Sequence, residues 1–549
     1  MSKINHQLWR FPGGLHLESH KTLSTGKPIG EAAIPPQLVI PLQQHIGSPA
    51  KPLVSVGDRV LKGQMLAQSE GYVSAPVHAS SSGTVIAIEQ RGVPHPSGLT
   101  APCIVIDTDG NDKWCELTPN SEYKQLEPGE LRILIHNAGI VGLGGAGFPS
   151  FIKLNPGGRT AVETLILNGA ECEPYISCDD MLMRERSIAI IKGARIMRHA
   201  LQARQCLIGI EDNKPEAISA MRDALVNMGE KEIEVVTVPT LYPTGGEKQL
   251  IKVLTGKEVP SQGLPLDTGV ICHNVATAAA IYRAVEKGEP LISRVVTITG
   301  RGAVNAQNIE VRIGTPIEQL LEQTGGTTGD YQLLMGGPMM GFALHSQNLP
   351  TIKTTNCLLL ASKEELPPPT TPTPCIRCGE CARVCPAQLL PQQLYWHSRA
   401  KEFDKVQDYN LFDCIECGCC SYVCPSSLPL VQFYRYAKTE IWAQEHDKLT
   451  SDKARERHEF RAFRKEREKA EKAARHKAKA KVVKKDSDAD TKKAAIQAAM
   501  ERAKAKRDNA GVAPKNTDNL TLDQKQKIAE VDARREAASE ETVIGKEEK

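Results

Sequence analysis

Two copies of one cysteine pattern constrain this chain more than any other feature. The first is Cys375, Cys378, Cys381 and Cys385 followed by Pro386, and the second is Cys414, Cys417, Cys420 and Cys424 followed by Pro425. Both match C-x2-C-x2-C-x3-C-P, in which three thiolates wrap one face of a cubane cluster and the fourth binds the neighbouring cluster. The doubled pattern therefore predicts two [4Fe–4S] clusters on one short segment.

The pattern also predicts which cysteines share a cluster, because the two copies exchange their last ligand. We expect one cluster on the first cysteine set, Cys375, Cys378, Cys381 and Cys424, and the other on the second cysteine set, Cys414, Cys417, Cys420 and Cys385. Cys419 breaks the spacing and is expected to bind no iron. Zinc is the alternative, but zinc usually takes two separated C-x2-C pairs.

The rest of the chain divides into regions of distinct pattern. Short alternating runs rich in Val, Ile, Gly and Pro predict an all-β unit at 31–115. Helical and strand patterns alternate over 125–290, which is typical of a parallel α/β layer, and two strands followed by a helix predict a small β unit over 291–362. A proline-rich linker then opens the cysteine region, 363–435, which looks helical between its two motifs. We therefore predict a multidomain α/β protein.

The C-terminal region of the 549-residue chain is strongly charged. Residues 451–549 contain 28 basic and 20 acidic residues, a net charge of +8. From about residue 447 the composition is dominated by Ala, Lys, Arg and Glu, which cannot bury a core. We expect 447–549 to be a solvated helix or a flexible extension. Its interspersed acids and few aromatic residues argue against nucleic-acid binding.

The sequence shows no targeting or membrane segment. No stretch of about 18 uncharged apolar residues occurs, and the opening MSKINHQLWRFPGG lacks the apolar core of a signal peptide. We expect a soluble, cytoplasmic chain. In that reducing compartment, cysteines outside the two motifs are expected to be buried thiols rather than disulfides.

A glycine-rich stretch, VGLGGAGFPS at 141–150, fits the G-x-G-x-x-G spacing of a dinucleotide-binding turn. Such a turn needs a strand before it and a full helix after it. Here the preceding PGELRILIHNAGIV looks helical, and NPGG at 155–158 would stop a following helix within two turns. We therefore predict a loop between helices whose backbone N–H groups hold a phosphate.

Several segments carry more specific resemblances. GLGGAGFPSFIKL, LNGAECEP, PTGGEKQLI and HNVAT occur in the order and approximate spacing seen in the flavoprotein subunit of respiratory complex I. The first β region resembles the barrel-sandwich hybrid of biotinyl and lipoyl carrier domains, without the carrier lysine. The run after Pro290 resembles the soluble-ligand-binding β-grasp family. Together with the dicluster ferredoxin pattern, residues 1–435 resemble the C-subunit family of Rnf, also called Rsx, electron-transport complexes.

The resemblance implies a Rossmann-like domain that binds FMN and NADH, and it implies roles for individual residues. FMN would be held by Gly142, Gly144, Gly145, Gly147, Lys153, Asn168 and Asn274. Phe148 would stack on nicotinamide or adenine. The dinucleotide pocket would be lined by Glu171, Glu173 and Glu247, whose charge would disfavour the extra phosphate of NADPH. Two positions depart from the complex I pattern, namely Ala170 in place of an acidic residue and His273 in place of an asparagine.

The resemblance further implies an NADH-dependent oxidoreductase that passes electrons through FMN and two [4Fe–4S] clusters toward or from ferredoxin or another acceptor. Its partners would be integral membrane subunits and a ferredoxin-like subunit of an ion-translocating complex. The chain would lie peripherally on the cytoplasmic face of the bacterial inner membrane. A flavin-free iron–sulfur adaptor is the alternative, and colour separates the two because bound flavin adds a resolved absorption band.

Overall fold

The structure, a computed structural model, describes residues 7–157, 161–368, 370–483 and 489–508, together with positions 526, 529 and 531. The chain forms two units, Met1–Glu445 and His446–Lys549. All of the described sheets belong to the first unit.

Strand β1 (Gly30–Glu31) precedes a sandwich of two small sheets. The sandwich strands are β2 (Gln37–Pro41), β3 (Lys51–Pro52), β4 (Arg59–Val60), β5 (Met65–Gln68), β6 (Val77–His78), β7 (Gly83–Gly92) and β8 (Thr100–Thr108). One sheet has the order β2-β8-β7-β4 and the other β3-β5-β6. Alternate residues of a strand face the same side, and one side of each sheet faces the other sheet. Leu38, Ile40, Leu66 and Ile106 are fully buried between the two sheets. The hairpin between β5 and β6 spans residues 69–76, a segment without lysine.

A four-stranded parallel sheet forms the next domain. Its strands are β9 (Thr164–Gly169), β10 (Gln205–Glu211), β11 (Ile233–Val238) and β12 (Val270–Asn274). Its helices are α1 (Pro128–Asn137), α2 (Ser150–Lys153), α3 (Cys178–Glu185), α4 (Ser187–Leu201), α5 (Pro215–Asn227), α6 (Glu247–Thr255) and α7 (Val275–Glu286). The strand order β11-β10-β9-β12 means that the chain builds outward from β9 and then returns to its other side. In such sheets ligands bind at the carboxyl ends of the strands that flank this reversal, here β9 and β12.

The sequence pattern explains why these elements form. Strand β9 is a continuous apolar run because helices cover both faces of a parallel sheet, and its first four residues are buried. Helix α4 buries Ile190, Ile191, Ala194 and Met197, which recur at helical spacing. The glycine-rich stretch lies between α1 and the single turn α2, as predicted.

The third domain is built on a six-stranded mixed sheet and one helix. Its elements are β13 (Ser293–Thr299), β14 (Gln307–Arg312), α8 (Ile317–Gln323), β15 (Tyr331–Met335), β16 (Phe342–Ala343) and β17 (Cys357–Ser362). The strand order is β1-β14-β13-β17-β15-β16. Strand β1 thus extends this sheet from a distant part of the chain, which the sequence analysis did not predict because two residues carry no periodic signal.

The cysteine region contains short helices, as predicted. They are α9 (Glu380–Arg383), α10 (Pro391–Arg399), α11 (Phe403–Asp408) and α12 (Cys419–Tyr422), with a 3-10 turn at Leu411–Asp413. Three further 3-10 turns lie outside this region, at Lys21–Leu23, Tyr123–Gln125 and Pro265–Thr268. Leu394, Val406 and Leu411, which lie between the two motifs, are buried in one core with Tyr434, which follows the second motif. This apolar core lets a segment of short helices hold a fixed shape.

Residues 9–24, here called the N-terminal strap, cross several domains of the first unit. Three hydrogen bonds of 3.0 Å hold the strap. Trp9 N–H donates to Val253 O, and Gly14 N–H donates to Val384 O. The Asn308 side-chain amide donates to Ser24 O. Leu15 also pairs with Tyr242 as an isolated β-bridge. The strap therefore connects the α/β domain, the cysteine region and the β-grasp sheet.

The charged region is helical where the structure describes it. Helices α13 (Leu430–Val483) and α14 (Ala489–Asp508) account for it, and nearly all described side chains after residue 446 are exposed. Ion pairs one turn apart, such as Arg464 with Glu468 at 3.6 Å, support an isolated helix. Among the described residues, no helix has both the length and the apolar content that crossing a membrane requires.

Candidate functional site

The glycine loop, residues 142–147, is a tight turn with an exposed tip. Its ends pair with each other, since the Gly142 N–H donates to Phe148 O at 2.8 Å. Gly144, Gly145 and Ala146 are exposed, and their N–H groups donate to no other atom in the described part of the chain. A run of exposed, unpaired N–H groups is a suitable site for an anion such as a phosphate.

Gly145 at the tip has a backbone conformation that favours glycine. Its φ is +117°, and a Cβ added there would meet no heavy atom within 4 Å. The backbone, rather than a neighbouring side chain, therefore requires glycine at this position. The space beside it is open to a ligand.

The glycine loop lies at the edge of the sheet where the fold predicts a ligand crevice. A Cβ added at Gly144 would lie 3.3 Å from the Asn274 Cβ. Asn274 ends β12 and stands opposite Asn168 of β9 in the parallel register. The structure thus brings the loop and both predicted asparagines together at the strand-order reversal.

Both asparagine side chains also make contacts within the protein. Asn168 Nδ2 donates to Gly245 O at 2.8 Å, and Asn274 Nδ2 donates to Asp179 Oδ2 at 2.6 Å. Asn274 Oδ1 accepts the Ala276 N–H at 2.8 Å and so caps α7. These bonds fix the side chains in place, and their contact with a flavin stays a prediction.

The two positions that depart from the complex I pattern are both buried. Ala170 is fully buried. His273 is 5% exposed, and its Nε2 has no hydrogen-bond partner among the described residues. Burial, with a smaller effect of Lys153, lowers the pKa of His273 well below its usual value, so the ring is neutral. Neither position supplies a charge to the site.

Lys153 and Glu247 form a half-exposed ion pair at this edge. Lys153 Nζ donates to Glu247 Oε1 at 2.5 Å and to Cys272 O at 2.9 Å. Glu247 is the first residue of α6, which follows Gly246. The pair offers a cation that suits a phosphate and a carboxylate that suits ribose hydroxyls.

Glu171 lies in the interior rather than in an open pocket. Its carboxylate accepts the N–H groups of Asp179 and Asp180 at 2.7 and 3.3 Å, and it lies 3.6 Å from Lys21 Nζ. Burial raises the pKa of Glu171 to about 7, and the Lys21 ammonium opposes that rise. Sequence analysis missed Lys21, because a single lysine in a segment without periodic pattern carries no signal.

Glu173 is also engaged by the protein. Its Oε1 accepts the N–H groups of Met339 and Met340 at 2.7 and 3.0 Å, which joins the α/β domain to the loop after β15. Burial raises the pKa of this carboxyl. Glu171 and Glu173 thus already act as acceptors for backbone N–H groups, and their role in lining a dinucleotide pocket stays a prediction.

A buried lysine lies behind the glycine loop. Lys353 is 1% exposed, and within the described part of the chain its Nζ donates to two carbonyls, Pro76 O at 2.8 Å and Gly139 O at 2.7 Å. Burial without a carboxylate partner lowers the pKa of Lys353 to about 7. His45 and His78 lie close enough that the Lys353 charge contributes to their lowered pKa values.

This lysine predicts a pH dependence of stability. Because the folded pKa is below the unfolded one, the unfolded chain binds more protons between about pH 7 and pH 10, and the free energy of unfolding should rise with pH there. Lys353→Met should remove this contribution, up to about 1.4 kcal/mol per pH unit. Denaturant unfolding of both chains at pH 7 and pH 9.5 measures it, with Lys51→Met, at an exposed lysine, as the control. Equal slopes for the wild type and Lys353→Met would contradict it.

The cysteines line two separate cavities. One cavity is bordered by all four members of the first cysteine set, Cys375, Cys378, Cys381 and Cys424. The other is bordered by the second cysteine set, Cys385, Cys414, Cys417 and Cys420, and also by Cys419. The structure therefore groups the cysteines with the exchange of fourth ligands that the motif predicts, while the choice of Cys420 over Cys419 as a ligand stays a prediction.

The backbone around these cavities suits iron–sulfur clusters. N–H groups of Arg377 and Glu416 each donate to the sulfur two residues earlier, at 3.4 Å in both motifs. Both residues are left-handed, with φ of 59° and 58°. Burial raises the pKa of the Cys414 thiol to about 12. Four thiols around one cavity fit a cubane cluster.

The second cysteine set is in direct contact with the α/β and β-grasp domains. Tyr242 Oη donates to Cys417 O at 2.6 Å. A Cβ added at Gly418 would lie 2.9 Å from Met339 O, in the loop that Glu173 holds. By contrast, Cys378 of the first cysteine set is exposed. The second set thus contacts two other domains, whereas one member of the first set, Cys378, is exposed to solvent.

Family models match four parts of the chain. They are the RnfC barrel-sandwich hybrid domain (residues 9–111), the Nuo51 FMN-binding domain (135–283), the SLBB domain (295–343) and a 4Fe–4S dicluster domain (374–428). The predicted fold class is confirmed, and the domain boundaries stay predictions. An FMN-binding domain joined to a dicluster domain defines an oxidoreductase component that transfers electrons.

Curated relatives identify the family. The chain is 48% identical over 547 residues to the C-subunit of the ion-translocating oxidoreductase complex of Serratia proteamaculans, covering 98% of this chain and 76% of that protein. The proteins of the same name from Pseudomonas aeruginosa and Vibrio cholerae are 50% and 49% identical, covering 85% and 91% of this chain. This chain belongs to the C-subunit family of ion-translocating oxidoreductase complexes.

The relatives also extend beyond the aligned region. The chain spans 60% of the Pseudomonas aeruginosa protein and 65% of the Vibrio cholerae protein. Among solved structures, an NAD+-reducing [NiFe]-hydrogenase in the H2-reduced state is similar over 59% of this chain and 63% of its own, at 17% identity and a TM-score of 0.40. That score is too low to support a conclusion.

Proposed function

We propose that this chain oxidises NADH at FMN and passes the electrons through two [4Fe–4S] clusters to other subunits of a membrane-bound, ion-translocating complex. Bound FMN can accept a hydride and release its two electrons singly, which suits one-electron clusters. The observation that carries the proposal is the contact between the second cysteine set and the domain of the glycine loop, at Tyr242 and Cys417.

The residues at the carboxyl edge of the sheet have complementary tasks in this proposal. The N–H groups of Gly144, Gly145 and Ala146, together with the Lys153 ammonium, hold the FMN phosphate. Asn168 and Asn274 contact the flavin, and Phe148 stacks on a ring of the dinucleotide. Glu247 accepts ribose hydroxyls of NADH. These tasks bind and orient, and none requires an acid or base from the protein.

The two cysteine sets have an order in this proposal. The second set is the inner one, because Cys417 and Gly418 contact the α/β and β-grasp domains. The first set is the outer one, because Cys378 is exposed. Electrons leaving the chain therefore depart from the first set, and a partner's redox centre must approach Cys378.

The proposed partners follow from the same surface. Integral membrane subunits and a ferredoxin-like subunit of the complex would receive the outer cysteine set, with ferredoxin or another acceptor beyond them. The chain would sit peripherally on the cytoplasmic face of the bacterial inner membrane. The relatives' name, which places them in an ion-translocating oxidoreductase complex, supports the part of this proposal that assigns the chain to such a complex.

An anaerobic absorption spectrum of the purified full chain tests the proposal. We expect a resolved flavin band over the broad iron–sulfur absorption, bleached by NADH and more slowly by NADPH, because Glu247 repels a 2′-phosphate. Equal rates of reduction by NADH and NADPH would show that Glu247 does not select against the 2′-phosphate. A broad brown spectrum without a flavin band, unchanged by NADH in the presence of added FMN, would replace the proposal with the flavin-free adaptor.

A further inference from the structure

The hairpin tip of the barrel-sandwich domain, residues 69–76, is rigidly attached to the segment 43–48. Ser48 N–H donates to Val73 O at 2.9 Å, and Ser74 Oγ donates to Ser48 O at 3.0 Å. Gly47 fits so closely that a Cβ there would lie 2.0 Å from Val73 O. In carrier domains this tip bears a mobile arm, whereas here it is fixed against its neighbour.

The fixed tip presents an aromatic ring beside the helix that follows the glycine loop. Tyr72 is 64% exposed. Its ring meets Phe151 of α2 edge-to-face, with 6.2 Å between centroids, and Phe151 in turn meets His136 of α1 at 4.4 Å. The ring is thus supported on one edge while its remaining surface faces solvent.

The same domain also touches the glycine loop itself. Ile46 N–H donates to Gly147 O at 3.3 Å, and a Cβ added at Gly147 would lie 3.4 Å from the His45 Cα. Ile46 is 54% exposed. Ile46 thus contacts the end of the loop, Tyr72 contacts the helix that follows it, and both side chains are exposed.

We propose that Tyr72 is a nucleotide-binding residue, whose ring stacks on a planar base of the dinucleotide that binds beside the FMN at this edge of the sheet. This proposal rests on the proposed function. Because the loop's N–H groups hold the FMN phosphate in that function, the dinucleotide must lie beside the loop, where the exposed and supported Tyr72 ring can stack on a flat base. The barrel-sandwich domain then contributes directly to the site, although the sequence assigns no site residue to it.

The exposed position of Tyr72 makes a clean test practicable. Tyr72→Ala should raise the Kd for NAD+ about tenfold, since stacking on an aromatic ring is lost, whereas Tyr72→Phe should keep the wild-type Kd. FMN content should be unchanged in both, because the loop's N–H groups are intact. Calorimetric titration of the FMN-loaded full chain with NAD+ measures Kd. Leu99→Ala, at a 69% exposed residue of the same domain, is the matched control.

The outcomes separate this proposal from the proposed function. A Tyr72→Ala chain with the wild-type Kd overturns the role of Tyr72 and leaves the proposed function standing. A wild-type chain that binds no NAD+ overturns both. If Tyr72→Ala keeps its Kd and instead weakens association with membranes that contain the partner subunits, the ring is a protein contact and the nucleotide role is wrong.

Discussion

The Cys378→Ala variant is expected to lose one cluster's worth of iron, about four atoms per chain. The described lining of its cavity holds the four thiols of the first cysteine set and no fifth one, so no replacement ligand is at hand. Because Cys378 is exposed and does not belong to the apolar core of the cysteine region, the fold should survive. Colorimetric iron analysis of anaerobically purified protein measures the loss, and reduction of flavin by NADH should persist.

Two further variants decide the ligands of the other cluster. Cys420→Ala should also lose about four iron atoms, whereas Cys419→Ala should keep its full iron content. Both cysteines are buried and border the same cavity, which makes each a matched control for the other. Iron loss in Cys419→Ala but not in Cys420→Ala would show that Cys419, and not Cys420, is the iron ligand.

Gly145→Val should abolish FMN binding and leave the iron content unchanged. The branched side chain would project into the open space beside the loop tip and would also disfavour the φ of +117° that presents the N–H groups. Flavin fluorescence released by denaturation, divided by protein concentration, measures the bound FMN. A fall to below about one tenth of the wild-type value corresponds to a loss of more than ~1.4 kcal/mol of binding free energy when binding is not saturated.

Backbone strain alone must be separated from the loss of the ligand site. Gly57 has a φ of +97° and open space around its position for a Cβ, but it lies in the barrel-sandwich domain outside the glycine loop. Gly57→Val therefore imposes a similar strain elsewhere and should retain FMN. Full flavin retention in Gly145→Val would place the cofactor elsewhere and reduce the glycine loop to a connection.

The sequence predicted those features that repeat along the chain. The doubled cysteine motif predicts ligand sets that the structure places around two cavities, because short spacings within one segment translate directly into geometry. Helices such as α4 and strands such as β9 were predicted because their apolar periodicity spans many residues. The sequence also predicted that no full helix follows the glycine-rich stretch, and α2 is indeed a single turn.

The features that sequence missed depend on contacts between distant segments. Lys21 lies beside Glu171 although about 150 residues separate them, and no local pattern signals that pair. The burial of Glu171 itself was missed because a carboxylate in a loop is usually exposed. Tyr72 received no site role from the sequence, since its proximity to α2 appears only when two domains pack together.

The N-terminal strap has a consequence for how the chain is made. Gly14 donates to Val384 O, so about 370 residues must be added after Gly14 before its partner exists. At about 5–20 residues per second, translation takes roughly 20–70 s to cover that distance. During this interval the sheets can form, but the strap lacks its last attachment. Val384 immediately precedes Cys385. The hydrogen bond between Gly14 and Val384 can therefore form only after the first cysteine motif has been synthesised.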